Sequence, residues 1–239
     1  GFWSRRQAAT DVMERIAAAN PAQGKPEFFV GVIGESGQRD VAAASGGFAN
    51  SPVSAPLSSA RYAAAGLRFG GFMRIAPEWT AGLALSATVG DAKSGNVKFT
   101  PVAFAGDLAA RWQRGPTFIN LGLGAQANLY SEIERSTLVG PLKNTSKTDG
   151  LSASAIAEAG YRLDLGNMGI IPKARLAYVV SKTNAFGEMG VVAPVDFGAR
   201  TVDGLAAGGE IRVEGRLGGN VLAHALVGYE TFLYSSAGS

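Results

Sequence analysis

Leu151 to Leu165 alternates with a period of two. Leu151, Ala153, Ala155, Ala157, Ala159, Tyr161, Leu163 and Leu165 share one face, while Ser152, Ser154, Glu158, Arg162 and Asp164 share the other. Leu205 to Leu217 repeats the pattern, with Leu205, Ala207, Ile211, Val213 and Leu217 set against Glu210, Arg212, Glu214 and Arg216. Successive side chains of a β-strand point to opposite faces, so the period predicts strands. Strands of soluble sheets usually run about 5–6 residues. Segments more than twice that length match tilted strands crossing a bilayer, which need roughly 9–11 residues in hydrocarbon plus extensions.

Nine strands are predicted, with approximate limits 28–38, 58–75, 79–90, 97–113, 117–134, 148–165, 169–183, 200–217 and 220–234. The same parity runs through most of them. Val102, Phe104, Leu108, Ala110 and Trp112 oppose Asp107, Arg111 and Gln113. Ile119, Leu121, Leu123, Ala125, Ala127 and Leu129 oppose Asn120, Gln126, Asn128, Glu132 and Glu134 in the same way. The second and seventh strands set Leu67, Phe69, Met73, Leu176 and Tyr178 against Arg68, Arg74, Lys173 and Arg175. The first strand, FFVGVIGESG, has no clean parity, and its facing stays open.

Connections sort by length. Ala76-Pro77-Glu78, Arg114-Gly115-Pro116, Gly166-Asn167-Met168 and Gly218-Gly219 are tight; those near 39–57, 135–147 and 184–199 are longer, with a short one at 91–96. Short turns at one end and longer loops at the other fit an outer-membrane barrel whose short turns are periplasmic. Alternation alone also fits a soluble sandwich. Three features favour lipid: apolar faces rich in alanine and glycine, Trp112, Tyr161 and Tyr178 placed where an aromatic girdle would sit, and no charge on those faces. A cation at the bilayer midplane costs about 2–4 kcal/mol.

Trp3 to Asn20 is the one predicted helix, free of glycine and proline and stopping before Pro21. Ala8, Val12, Ile16 and Ala19 make a thin apolar stripe among Arg5, Arg6, Asp11, Glu14 and Arg15. A solvated cap and a helix inside a polar pore both fit that stripe. The predicted organisation is therefore a helix at 1–20, a linker at 21–27, and strands over 28–239.

Composition narrows the function classes. The 239 residues include no cysteine, which excludes disulfides and Cys-ligated metal sites. The net charge of +3 is spread along the strands rather than clustered, so nucleic acid is not an expected partner. No apolar run reaches the roughly 18–20 residues of a membrane helix, which leaves a closed barrel as the only spanning form. There is no Gly-x-Ser-x-Gly elbow, metal-ligand cluster or phosphate loop, so no catalytic, cofactor or metal residue is predicted and the chain is read as no enzyme. His224, the single histidine, is read as a bore-facing member of an ion-pair network. A chain starting at Gly1 is expected to be part of a longer precursor.

Asp149 to Ser154 (DGLSAS), Glu158 to Arg162 (EAGYR), Pro172 to Tyr178 (PKARLAY), Phe186-Gly187-Glu188 and Asp203-Gly204-Leu205 together resemble the translocator β-barrel domain of autotransporters, the type V secretion family. The resemblance implies an all-β, antiparallel up-and-down transmembrane barrel of twelve strands, of which about nine are visible here, so that about three would lie outside this sequence. It also implies an N-terminal helix inside the lumen that joins the barrel to a secreted passenger domain. The paired asparagines at which some members cut the passenger are absent, Asn20 standing alone before Pro21, and self-cleavage is not expected.

Expected partners are outer-membrane lipid, the chain's own passenger and the barrel assembly machinery, with the domain a monomer in the outer membrane of a Gram-negative bacterium and the passenger at the cell surface. A porin-like diffusion channel is the alternative. Candidate bore-lining charges are Arg68, Arg74, Asp107, Arg111, Glu132, Glu134, Glu158, Arg162, Lys173, Arg175, Glu210, Arg212, Glu214 and Arg216. Arg5, Arg6, Glu14 and Arg15 are their candidate partners on the helix. The bland role of the inward charges is to pair acid with base between strands; the functional one is to keep a polypeptide path wet and to hold the helix.

Overall fold

The computed structural model describes residues 11–17, 19, 21–40, 59–136, 142–190, 193–216 and 222–238, with the backbone alone at 38–40, 59–60, 94, 216, 222–224 and 237–238. Nine long strands are present: β1 (Pro26–Asp40), β2 (Ser59–Ala76), β3 (Trp79–Ser94), β4 (Val97–Arg114), β5 (Thr117–Ser136), β6 (Lys143–Tyr161), β7 (Met168–Thr183), β8 (Arg200–Arg216) and β9 (Leu222–Gly238). Each pairs antiparallel with its sequence neighbours in the order β1 to β9, an up-and-down sheet. Leu163–Leu165 extends the β6 edge onto β7, and Phe186–Gly187 with Asp196–Phe197 forms a separate small hairpin. Among the described residues no pairing joins β1 to β9, so the sheet has two edges.

Local chemistry sets the tight turns. Gly115 and Gly166 hold φ of 57° and 66°, a conformation that favours glycine, and each opens a two-residue reversal at the same end of the sheet. The predicted Gly218-Gly219 turn lies outside the described residues.

The two faces of the sheet are chemically opposite. Leu121, Leu176 and Ile211 are 44%, 46% and 51% exposed on the convex face, while Glu158 beside them is 6% exposed on the concave one. Large exposed apolar side chains continue along every long strand, from Val30 and Leu67 to Val227. A surface this apolar is not stable in water and marks a lipid-facing wall. Trp79 and Trp112 are register partners near the tight turns, where Tyr161 also faces outward. Trp112 Nε1 donates to Glu78 at 3.0 Å, giving the indole a polar anchor at the level of the turns.

The first strand takes a definite facing. Phe28, Val30 and Val32 point outward at about 80% exposure, whereas Phe29 points inward and stacks on Phe72, ring centroids 5.2 Å apart. Its parity is hidden in the sequence because both faces are apolar here: lipid lies on one side and a helix on the other.

That helix, residues 11–17, lies inside the curve of the sheet. Val12 and Ile16 bury against Phe72, Ala84 and Ala109 on one wall, and Met13 against Ile156 and Ala177 on the other. Gly122 makes the second contact possible, since a Cβ there would sit 2.8 Å from the Met13 sulfur. Ala17 and Ala19 border a cavity of about 510 Å³ with Pro77, Glu78 and Gly115, at the tight-turn end. The chain then leaves through Gln23, bridged to Arg74. The helix therefore points its N-terminus toward the loop end.

Candidate functional site

The concave wall carries a connected set of ions and amides. Glu158 on β6 accepts from Asn120 Nδ2 at 2.9 Å and from Arg175 Nη2 at 2.9 Å, with Lys173 Nζ at 3.3 Å. Lys173 also meets Glu210 at 2.9 Å, and Arg212 lies 3.8 Å from Glu210 and 3.7 Å from Glu14 on the helix. At the other side, Arg111 donates to Asn120 Oδ1 at 3.0 Å and stacks its guanidinium 4.5 Å above Phe118. A continuous polar path thus runs from β4 across four strands to the helix. Toward the loop end a neutral ladder succeeds it: Gln126 donates to Asn128, Asn128 to Ser152, and Ser152 meets Ser181, at 2.6, 3.1 and 2.9 Å. Each member is a neighbour on the next strand or the same face, so strand register rather than loop geometry positions it.

The helix is held at its upper end by Arg68, which is buried on β2 and donates to Asp11. Asp11 also takes Arg15 Nε at 3.3 Å, one helical turn on, and the Arg15 guanidinium lies 5.0 Å above the Phe29 ring. Asp11 is the partner that sequence reasoning left off the helix set. Its signal is the i, i+4 spacing to Arg15, which only a known inward facing of Arg68 turns into a site.

Arg68, Arg74, Asp107, Arg111, Glu158, Arg162, Lys173, Arg175, Glu210, Arg212 and Glu214 all lie on the concave face. Arg162 donates to Glu214 at 3.0 Å and, with Arg74 and Arg111, lines the cavity at the tight-turn end. Arg216 ends β8 with its side chain outside the described residues, as is the side chain of His224; Arg5 and Arg6 lie outside them altogether.

Glu132 and Glu134 are corrections: both face outward. Tyr130 pairs with Thr148 but Ile133 with Ser146, so one extra residue enters β5 near Ser131. Such a bulge inverts the parity beyond it. Glu134 accordingly takes Lys143 Nζ at 2.8 Å on the outer surface, and Arg135 turns inward instead. Strict alternation carried through the bulge gives the opposite facing.

Arg135 then reaches a structure no pattern predicts. Its Nε and Nη2 hold both oxygens of Glu188 at 2.7 and 2.6 Å, and Asn144 Nδ2 and the Val195 amide add donors at 3.0 and 3.2 Å. The Arg135 hydrogen bonds, helped by Asn144 and the amide, bring the Glu188 carboxyl down to about 2. Backbone bonds between Thr145 and Met189 at 2.8 and 2.9 Å complete the fastening of this hairpin to β6, while the stacked rings of Phe186 and Phe197 hold its own two strands together. Because the carboxyl is depressed on folding, the latch is at full strength above about pH 5 and is lost as pH falls toward about 2. A nitroxide at Met189 should therefore stay immobile from pH 7 to about 4 and loosen below about 3. In Glu188→Gln it should be mobile throughout. Wild-type loosening already complete at pH 5 contradicts the latch.

A family model described as the autotransporter β-domain matches residues 28–233. Among solved structures the chain is similar to the translocator domain of autotransporter NalP from Neisseria meningitidis, with a TM-score of 0.73 over 97% of this chain and 79% of that one, at 15% sequence identity. No curated protein sequence matches.

Proposed function

The chain belongs to the autotransporter β-domain family, and from that membership we propose how its bore carries a polypeptide. It is an outer-membrane translocator that secretes a passenger domain linked to its N-terminal side, in a Gram-negative bacterium. Translocator domains of this family are transport domains, not enzymes. Alternation alone leaves translocator and diffusion channel open; family membership decides for the first.

The helix is the tether within the pore. The observation that carries this is its direction: the C-terminal end sits among the tight turns and the N-terminal end, on the passenger side, faces the loops. With tight turns periplasmic, that direction leads the passenger to the cell surface. Ion pairs from both walls, Arg68 to Asp11 and Arg212 to Glu14, centre the helix in the bore. Glu158, Lys173, Arg175 and Glu210 bind one another, as do Arg162 and Glu214, so this part of the wall is polar yet offers a moving chain few unpaired ions.

The 1–20 helix, 21–27 linker and 28–239 barrel are proposed as the working parts. The barrel is closed by strands beyond those described, because an open edge in hydrocarbon leaves backbone groups without partners, at several kcal/mol each. The domain works as a monomer, inserted by the barrel assembly machinery. Planar-bilayer conductance tests the tether. In the full-length protein, Asp11→Ala with Glu14→Ala and Arg15→Ala should free the helix and raise conductance several-fold. Unchanged conductance with retained heat-modifiable migration would overturn it.

A further inference from the structure

The outward face, expected from the sequence to carry no charge, does carry charge toward the loop end. On β2, β3 and β4 the apolar surface of Leu67, Val89 and Phe104 gives way to Arg61, Lys93 and Lys98. The register sets these three cations side by side, Arg61 opposite Lys93 and Lys93 opposite Lys98. All three are exposed on the convex side of the wall. Like charges directly opposite on neighbouring strands repel. The row spans two strand spacings, roughly 10 Å.

Local acids offset the row only at its Lys98 end. Asp91, on the same face of β3, forms a long ion pair with Lys98 Nζ at 3.9 Å, both side chains largely exposed. Glu134, next across on β5, is taken by Lys143 at 2.8 Å. Among the described residues, Arg61 and Lys93 have no carboxylate within ion-pair distance.

We infer that Arg61, Lys93 and Lys98 form a docking ledge for the phosphate-bearing headgroups of outer-leaflet lipid. The charge is complementary, and the place is right: the ledge borders the apolar band on the lipid side, where acyl chains and headgroups meet. A multiply charged phosphate is held there by three cations that otherwise repel one another. The ledge fixes the depth and rotation of the wall beside the first strand, a role the bore-facing ions, turned away from lipid, do not share. The inference rests on the convex face being the lipid face, and the test separates the two.

The full-length protein is placed in phosphatidylcholine vesicles, and spin-labelled phosphatidic acid is compared with spin-labelled phosphatidylcholine as the immobilised lipid. Wild type should favour phosphatidic acid about threefold when averaged over the annulus, because basic residues at a membrane surface attract anionic headgroups. Arg61→Gln with Lys93→Gln and Lys98→Gln should bring the two lipids to parity, and Lys98→Gln alone should fall between. No preference in wild type, or an undiminished one in the triple variant, overturns the ledge. So does loss of the preference on adding inorganic phosphate at matched ionic strength, since the site would then be one for the free ion. Broadening of a nitroxide at Leu121 by lipid-borne relaxer reports lipid contact independently. Its absence defeats the membrane orientation itself, while its presence beside a failed lipid preference defeats the ledge alone.

Discussion

Glu158→Leu is expected to lower stability by about 3–5 kcal/mol, the cost of stranding a partner charge away from bulk water. Glu158 is 6% exposed, and Lys173 and Arg175 beside it are 7% and 18% exposed. Lys173 keeps Glu210 at 2.9 Å after the change, but Arg175 loses both of its hydrogen bonds to Glu158, and Asn120 loses its acceptor. Glu158→Gln should lose less, because the amide oxygen still accepts from Asn120. The pair Glu158→Leu and Arg175→Met should recover much of the loss, since removing both ions removes the uncompensated charge. Reversible urea unfolding in lipid vesicles, followed by tryptophan fluorescence, measures all three. A loss below about 1 kcal/mol for Glu158→Leu would mean that pore water solvates these ions as it does surface pairs.

Legibility in the sequence followed how many environments a strand meets. β5 and β6 separate lipid from wet bore, so Leu121 and Leu123 alternate with Asn120 and Gln126 and the facing can be read directly. β1 touches lipid with Val30 and helix with Phe29, two apolar surroundings, and a two-letter pattern contains no contrast to read. The bulge near Ser131 is invisible for a different reason. Nothing in Tyr130-Ser131-Glu132 marks an extra residue; only the register on both neighbours, β4 and β6, locates it. The Arg135 and Glu188 pair is separated by fifty-three positions and depends on that bulge, so no local signal announces it. Phe186-Gly187-Glu188 resembles family text, but the residues alone give it no physical reason. The reason is the carboxylate at its end, which binds the hairpin to the wall.

Leu176→Arg should cost about 2–4 kcal/mol in a bilayer, although the residue before it is already an arginine. Arg175 and Leu176 differ by one position along β7, hence by the face they present: Arg175 meets Glu158, and Leu176 lies half exposed on the convex side. Depth, not sequence distance, should govern how the cost varies. Leu129 is on the same face as Leu121 but opposite Asp149, toward the loop end, and Leu129→Arg there should cost only about 0–1 kcal/mol, because a long cation near the interface reaches water. Folding into vesicles of thicker and thinner phosphatidylcholine provides the control, since thinning the hydrocarbon should shrink the cost at Leu176 and leave that at Leu129 unchanged. A wall facing water instead would accept arginine at both sites equally and ignore bilayer thickness. Equal tolerance would thus return the convex face to solvent, and the lipid ledge, the wet bore and the outward path for the passenger would all lose their common frame.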